Sequence, residues 1–420
     1  MEVFHVLSLL LVISAILSWV NHRYVGLPTT IGVMVIALVI SLALQLASLF
    51  GLSVEASIVR ILEEVDFSHT LLDVLLAFLL FAGALHVNIG DLASQKWIIG
   101  GLATIGVLVS TLLVAGMTLL VGNVLGLELP FLHCLLFGSL IAPTDPIAVM
   151  GILKQANAPK SLETKIAGES LFNDGVGVVI FSVLLAIAVG SGGHGGEMDA
   201  ASIATLAAKE ILGSAVIGLS CGYVAYRLMK SVDNYHVEVL ITLALCVGVY
   251  SMAASVHSSG PLAVVMAGLL IGNTGRRYAM TPKVIEHVDT FWELVDEILN
   301  VLLFVLVGME VLIIPFQGNY ILAGLISIPL VLLARLVSVG GAVKLLARWR
   351  TFSPHAVKIM TWGGLRGGIS VALALMIPET IASRDVILTM TYIVVVFSIG
   401  VQGMTIGRLL KLIPKTSEDA

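Results

Sequence analysis

Gly168-Glu169-Ser170-Leu171-Phe172-Asn173-Asp174-Gly175 lies inside an apolar run from Ile166 to Val189 that has the length and composition of a membrane-spanning helix. At about 100° per residue, Glu169, Asn173, Ser170 and Asp174 fall within an arc of roughly 140°. One helix face therefore carries every polar group, and the opposite face is Leu, Ile and Val. An ionisable side chain near the bilayer centre costs ~3 kcal/mol on insertion scales, so such residues face a protein interior or a water-filled path. The bland reading is a carboxylate paired with an arginine to fix helix packing, and it suits Glu169 better than Asp174.

The rest of the chain matches this run. Hydrophobic residues make up 58% of 420 and charged residues 12%, which leaves no stretch for a sizeable soluble domain and predicts an all-α polytopic membrane protein. A net charge of −5 argues against a nucleic-acid partner. Cys134, Cys221 and Cys246 sit in apolar runs without CxxC or Cys/His ligand spacing and read as small core residues. The amino terminus has Glu2 and no Lys or Arg before its apolar run, so it reads as a first span and not as a signal peptide.

Apolar runs separated by turn-like or charged interruptions predict about thirteen spans, near 4–20, 28–50, 68–87, 97–125, 130–153, 163–190, 201–229, 236–256, 261–275, 291–312, 319–346, 355–378 and 386–411. Alternate loops are basic. Arg23, Lys96, Lys154, Lys160, Lys165, Arg227, Lys230, Arg276, Arg277, Lys283, Lys344, Arg348, Arg350, Arg408, Lys411 and Lys415 fall on one side and account for 16 of the 22 Lys and Arg residues. Under the positive-inside rule the amino terminus is outside and the carboxyl terminus cytoplasmic, in a plasma (inner) membrane.

Thirteen spans parse as six, one and six: residues 1–190 as a first repeat, 191–234 as a linking helix, 235–412 as a second repeat of opposite orientation, and 413–420 as a tail. The fifth span of the first block contains Ala142-Pro143-Thr144-Asp145-Pro146, and the fifth of the second contains Trp362-Gly363-Gly364-Leu365-Arg366-Gly367-Gly368. Helix breakers at mid-membrane in corresponding positions point to a substrate site formed by two crossed, broken helices. Pro143 and Pro146 free backbone carbonyls, Thr144 adds a hydroxyl, and Asp145 stands where a half-helix begins and offsets its dipole. Gly364 and Gly367 break the second span. Arg366 is its buried cation, able to neutralise the carbonyl end of a half-helix or to pair with Glu169.

Asp174 is the carboxylate best suited to transport. Removing a carboxylate from water favours its protonated form, so a proton and a small hard cation compete for it. Oxygen ligands from Asp174, Ser170 and Thr144, with a freed carbonyl and water, suit an alkali ion such as Na⁺, whereas no Cys or His cluster supports a transition metal.

PTDP, GESLFNDG and WGGLRGG, in that order and spacing, resemble the monovalent cation:proton antiporter-1 family, the sodium/proton exchangers, and the likeness covers nearly the whole chain. The resemblance implies a thirteen-helix homodimer in which a core domain moves to give alternating access. It places ion binding at Thr144, Ser170 and Asp174, with Asn173 before the carrier aspartate, and a structural ion pair at Glu169 and Arg366. Electrogenic relatives carry a second aspartate where Asn173 stands, so the resemblance implies electroneutral one-for-one exchange. The segment Glu297–Glu310 resembles the family's tenth span, with Asn300 as a support of the broken helices or a partner in an interhelical hydrogen bond. Ala82, in LLFAGALHV, departs from the acidic residue many relatives have there.

The leading expectation is a Na⁺(Li⁺)/H⁺ antiporter with no bound cofactor, with lipid as its surroundings and monovalent cations and protons as its substrates; a K⁺/H⁺ antiporter is the near alternative. Asp145 and Asp174 as an intramembrane aspartyl protease dyad lack the YD and GxGD signatures. A channel would not need a titrating carboxylate coupled to a duplicated fold. No phosphate-binding loop supports an ATP-driven pump.

Overall fold

The computed structural model describes residues 2–49, 69–87, 96–145, 160–193, 200–256, 258–310, 317–347 and 355–411. In lipid each backbone N–H needs a partner within its own segment or buried in protein, and the apolar runs accordingly form helices. In chain order these are α1 (Glu2–Val20), α2 (Thr29–Leu49), α3 (His69–His86), α4 (Lys96–Gly101), α5 (Val107–Leu125), α6 (Phe131–Ile141), α7 (Lys160–Gly193), α8 (Ala200–Met229) and α9 (Tyr235–Ser255). There follow α10 (Gly260–Leu270), α11 (Arg276–Tyr278), α12 (Pro282–Glu310), α13 (Gly318–Leu346), α14 (Ala356–Trp362), α15 (Gly368–Leu375), α16 (Arg384–Phe397) and α17 (Met404–Lys411). Among the described residues, seven stretches are long and apolar enough to cross a membrane by themselves, and the one from Gly168 to Val189 is among them.

Two features depart from the predicted runs. Helix α12 begins at Pro282, ahead of the predicted 291, because its charged first turns carry a buried stripe, Val284, Val288 and Trp292, at helical spacing. Four stretches are π-helical: Asn21–Val25 closes the first helix at a left-handed Gly26, and Leu102–Gly106, Ile271–Gly275 and Ser398–Gly403 interrupt otherwise continuous α-helix.

The surface is apolar where lipid would lie: Val124, Val216 and Leu240 are 84%, 67% and 64% exposed. One buried cluster gathers α3, α8, α9, α10 and α12 around Trp292, whose ring lies 4.7 Å from that of Phe81. A second joins α5, α6, α7, α13, α15 and α16 through Phe137, Leu140, Phe181 and Val395. The second cluster encloses the two interrupted spans. Helix α6 stops at Ile141, and α14 and α15 are separated by the unwound residues 363–367. The two unwound stretches meet: the Asp145 N–H donates to the Leu365 carbonyl at 2.8 Å, as an isolated antiparallel bridge.

Candidate functional site

Proline at 143 has no N–H to continue the α6 ladder, and the chain leaves the helix just before it. Pro143 then packs on α7 at Gly177, where any Cβ would overlap its ring. This close approach brings Thr144 against the polar face of α7. The Asn173 side chain clamps Thr144 at two points, accepting from its backbone N–H at 3.3 Å and donating Nδ2–H to its Oγ1 at 2.9 Å. The Ser170 and Thr144 hydroxyl oxygens are 3.2 Å apart.

Asp174 lies one turn beyond Ser170 on this face and is 5% exposed. Among the described residues it makes no hydrogen bond or ion pair, and the charge of Asp145 acts on it across the site. The Asp145 side chain rests on Gly367, where a Cβ would overlap its carboxylate oxygen. The structure thus gathers Thr144, Ser170, Asn173, Asp174 and Asp145 where the two unwound stretches meet. Pro146 lies outside the described residues.

The expected pair between Glu169 and Arg366 is not formed. Glu169 Oε1 is 2.5 Å from Arg335 Nη1, and Arg335 Nε also reaches the Met360 carbonyl of α14, at 3.4 Å. Arg366, fully buried, works instead on backbone ends. Its Nε donates to the Ile141 carbonyl at the end of α6 (3.0 Å), its Nη1 donates to the Gly364 carbonyl, and its own N–H donates to Ser398 Oγ at 2.8 Å. Each interrupted helix presents unpaired carbonyls and a partial negative charge at its end, and Arg366 donates to one carbonyl on each side, while its Nη2 is buried without a partner among the described residues. Gly364 packs against the Arg335 guanidinium. Among the described residues, the Asn300 amide donates to the Asp296 carbonyl one turn back in α12.

Arg335 is an arginine inside an apolar span, and with the helix ends of the structure in hand, helix rise puts it at a depth comparable to that of Glu169. Glu169 stands nine residues, roughly 14 Å, from the start of α7, and Arg335 eleven residues, roughly 17 Å, from the end of α13, both measured from the basic side. Ser398, which fixes the Arg366 backbone, is a serine in an apolar run and carried no such signal.

Comparison with known proteins agrees with this arrangement. Residues 9–412 match the family profile described as sodium/hydrogen exchanger, transmembrane. The chain is 47% identical over 406 residues to the Na⁺/H⁺ antiporter NhaP of Pseudomonas aeruginosa, covering 96% of this chain and 95% of that one. It is 35% identical over 352 residues to the Na⁺/H⁺ antiporter NhaH of Halobacillus dabanensis, covering 82% and 83%. The fold is similar to that of the sodium proton antiporter MjNhaP1 from Methanocaldococcus jannaschii, with a TM-score of 0.73, 21% identity, and coverage of 98% of this chain and 99% of that one.

Proposed function

This chain belongs to the sodium/hydrogen exchanger family and is a secondary active antiporter of monovalent cations and protons; from that premise we propose that it exchanges Na⁺ or Li⁺ for H⁺ one for one, with Asp174 as the carrier. The observation that carries this reading is a buried carboxylate one helical turn beyond Ser170, whose hydroxyl is 3.2 Å from that of Thr144, with no counter-charge among the described residues. Such a group holds either a proton or a monovalent cation, and one carboxylate exchanging one for the other moves no net charge. The relatives from Pseudomonas aeruginosa and Halobacillus dabanensis named above are Na⁺/H⁺ antiporters, which supports sodium as the cation. Thr144 and Ser170 supply neutral oxygen ligands. Asn173 supplies the clamp that holds Thr144 in place.

In the same reading, thirteen spans form two inverted six-helix repeats, the protein is a homodimer in the plasma (inner) membrane, and its amino terminus faces outside. Access alternates as the part carrying the site moves. Arg366 and the Arg335–Glu169 pair keep the interrupted helices fixed during that movement.

The test is cation-induced dequenching of a pH dye in proteoliposomes, for Na⁺, Li⁺ and K⁺, with and without an imposed potential. Na⁺ and Li⁺ responses that ignore the potential and vanish in Asp174→Asn, with folded protein still in the membrane, are expected. Responses to K⁺ alone would replace the cation, dependence on the potential would refute the one-for-one stoichiometry, and retained exchange in Asp174→Asn would remove the carrier assignment.

A further inference from the structure

Between α13, α14 and α17 lies a cavity of about 450 Å³ lined by Leu336, Lys358, Thr361, Trp362, Thr405 and Leu409. It is separate from the site around Asp174. One part is fixed by a hydrogen bond from Trp362 Nε1 to Thr405 Oγ1 at 2.9 Å. Beside that bond, the Thr361 Oγ1 is buried and has no hydrogen-bond partner among the described residues.

Helix rise orients the cavity. Lys358 precedes Thr361 by three residues, about 4.5 Å, and Leu409 follows Thr405 by four, about 6 Å, so both stand at the mouth, on the basic side of the protein. Lys358 is exposed and forms no ion pair among the described residues. The wall segments 336–347, 355–362 and 401–411 contain Lys344, Lys358, Arg408 and Lys411 and no Asp or Glu. The flanking surface is apolar: Leu333, Leu336, Val337 and Met404 are each close to half exposed.

An apolar groove at the apolar surface, with uncompensated cations at one end, suits one class of ligand. A soluble anion would leave the walls wet, and a neutral lipid would leave Lys358 without a counter-charge. We propose that this cavity binds one anionic phospholipid, with an acyl chain along Leu336, Trp362 and Leu409 and the phosphate against Lys358. Tryptophan at the level of the ester groups and basic residues at the level of the phosphates match the ordinary layering of a membrane interface.

Native mass spectrometry of delipidated protein offered phosphatidylglycerol or phosphatidylcholine of equal chain length tests this. The wild type is expected to retain phosphatidylglycerol about fivefold better, the preference one basic residue near a membrane surface supplies. Lys358→Gln should abolish that preference, whereas Lys283→Gln, a basic residue away from the cavity, should keep it. Thr361→Phe, which fills the cavity, should lose both lipids, and glycerol phosphate should fail to displace bound lipid. Equal retention of the two lipids by the wild type, an unchanged preference in Lys358→Gln, the same loss in Lys283→Gln, or displacement by glycerol phosphate would each overturn the proposal. Because Lys358 is exposed, its variant decides the matter even where Thr361→Phe does not fold.

Discussion

Glu169→Gln removes one member of an ion pair whose side chains are 1% and 7% exposed and whose charged atoms are 2.5 Å apart. The guanidinium of Arg335 would then face an uncharged amide in place of a carboxylate, beside its bond to the Met360 carbonyl. Leaving a buried charge without its partner costs ~3–5 kcal/mol, far more than an exposed pair is worth, because the remaining ion has lost both water and counter-charge. Glu169→Gln and Arg335→Met should each destabilise by about that amount. The double variant should recover part of it, since it leaves a buried amide but no buried charge without a partner, and the coupling energy should reach ~2–3 kcal/mol. The assay is reversible unfolding in mixed micelles followed by tryptophan fluorescence, arranged as a double-mutant cycle. A second cycle pairs Glu169→Gln with Arg366→Met and should give a smaller coupling, because Arg366 Nε and Nη1 donate to the Ile141 and Gly364 carbonyls and none of its nitrogens bonds Glu169. A larger coupling to Arg366 than to Arg335 would refute the assignment.

Gly367→Ala would drive a methyl group into the Asp145 carboxylate and should destabilise by ~1–3 kcal/mol while lowering exchange at least tenfold. Gly341→Ala, where an added Cβ meets nothing within 4 Å, should leave dye-dequenching rates unchanged. Thr144→Ala and Ser170→Ala each remove one neutral oxygen from the proposed cation shell, worth ~1.5–3 kcal/mol for a contact to a charge, so the KM for Na⁺ should rise tenfold or more with the maximal rate less affected.

Much of the site was readable because membrane helices make polar residues conspicuous. Proline and glycine at matching depths marked the two interruptions, and the arc from Glu169 to Asp174 marked the face they would meet. The partners of the arginines were less readable. A helix wheel gives the direction of Glu169 but not which of two buried guanidinium groups lies at its depth, and Arg366 satisfies carbonyls, which no sequence pattern distinguishes from satisfying a carboxylate. Asn300 was open in the same way: an amide in a span bonds its own helix, as it does at the Asp296 carbonyl, as readily as a neighbour. The π-helical stretches had no composition of their own. Each one turns the residues beyond it away from the face an α-helical count assigns, so Thr405 and Leu409, which follow Ser398–Gly403, could not be placed on the cavity wall by counting.

The bond from the Asp145 N–H to the Leu365 carbonyl acts mechanically as a rivet. Helices α6, α14 and α15 are rods that end at the unwound stretches, and a pin between those stretches makes a push on one rod a torque shared by the others. Slack at the interruptions is therefore not free play. Because the pin joins backbone to backbone, substitutions that alter the side chain at 365 leave it in place, and at 145 only loss of the amide hydrogen itself, as with proline, would draw it out. The chemistry carried by these two positions can drift while the linkage between the two spans endures.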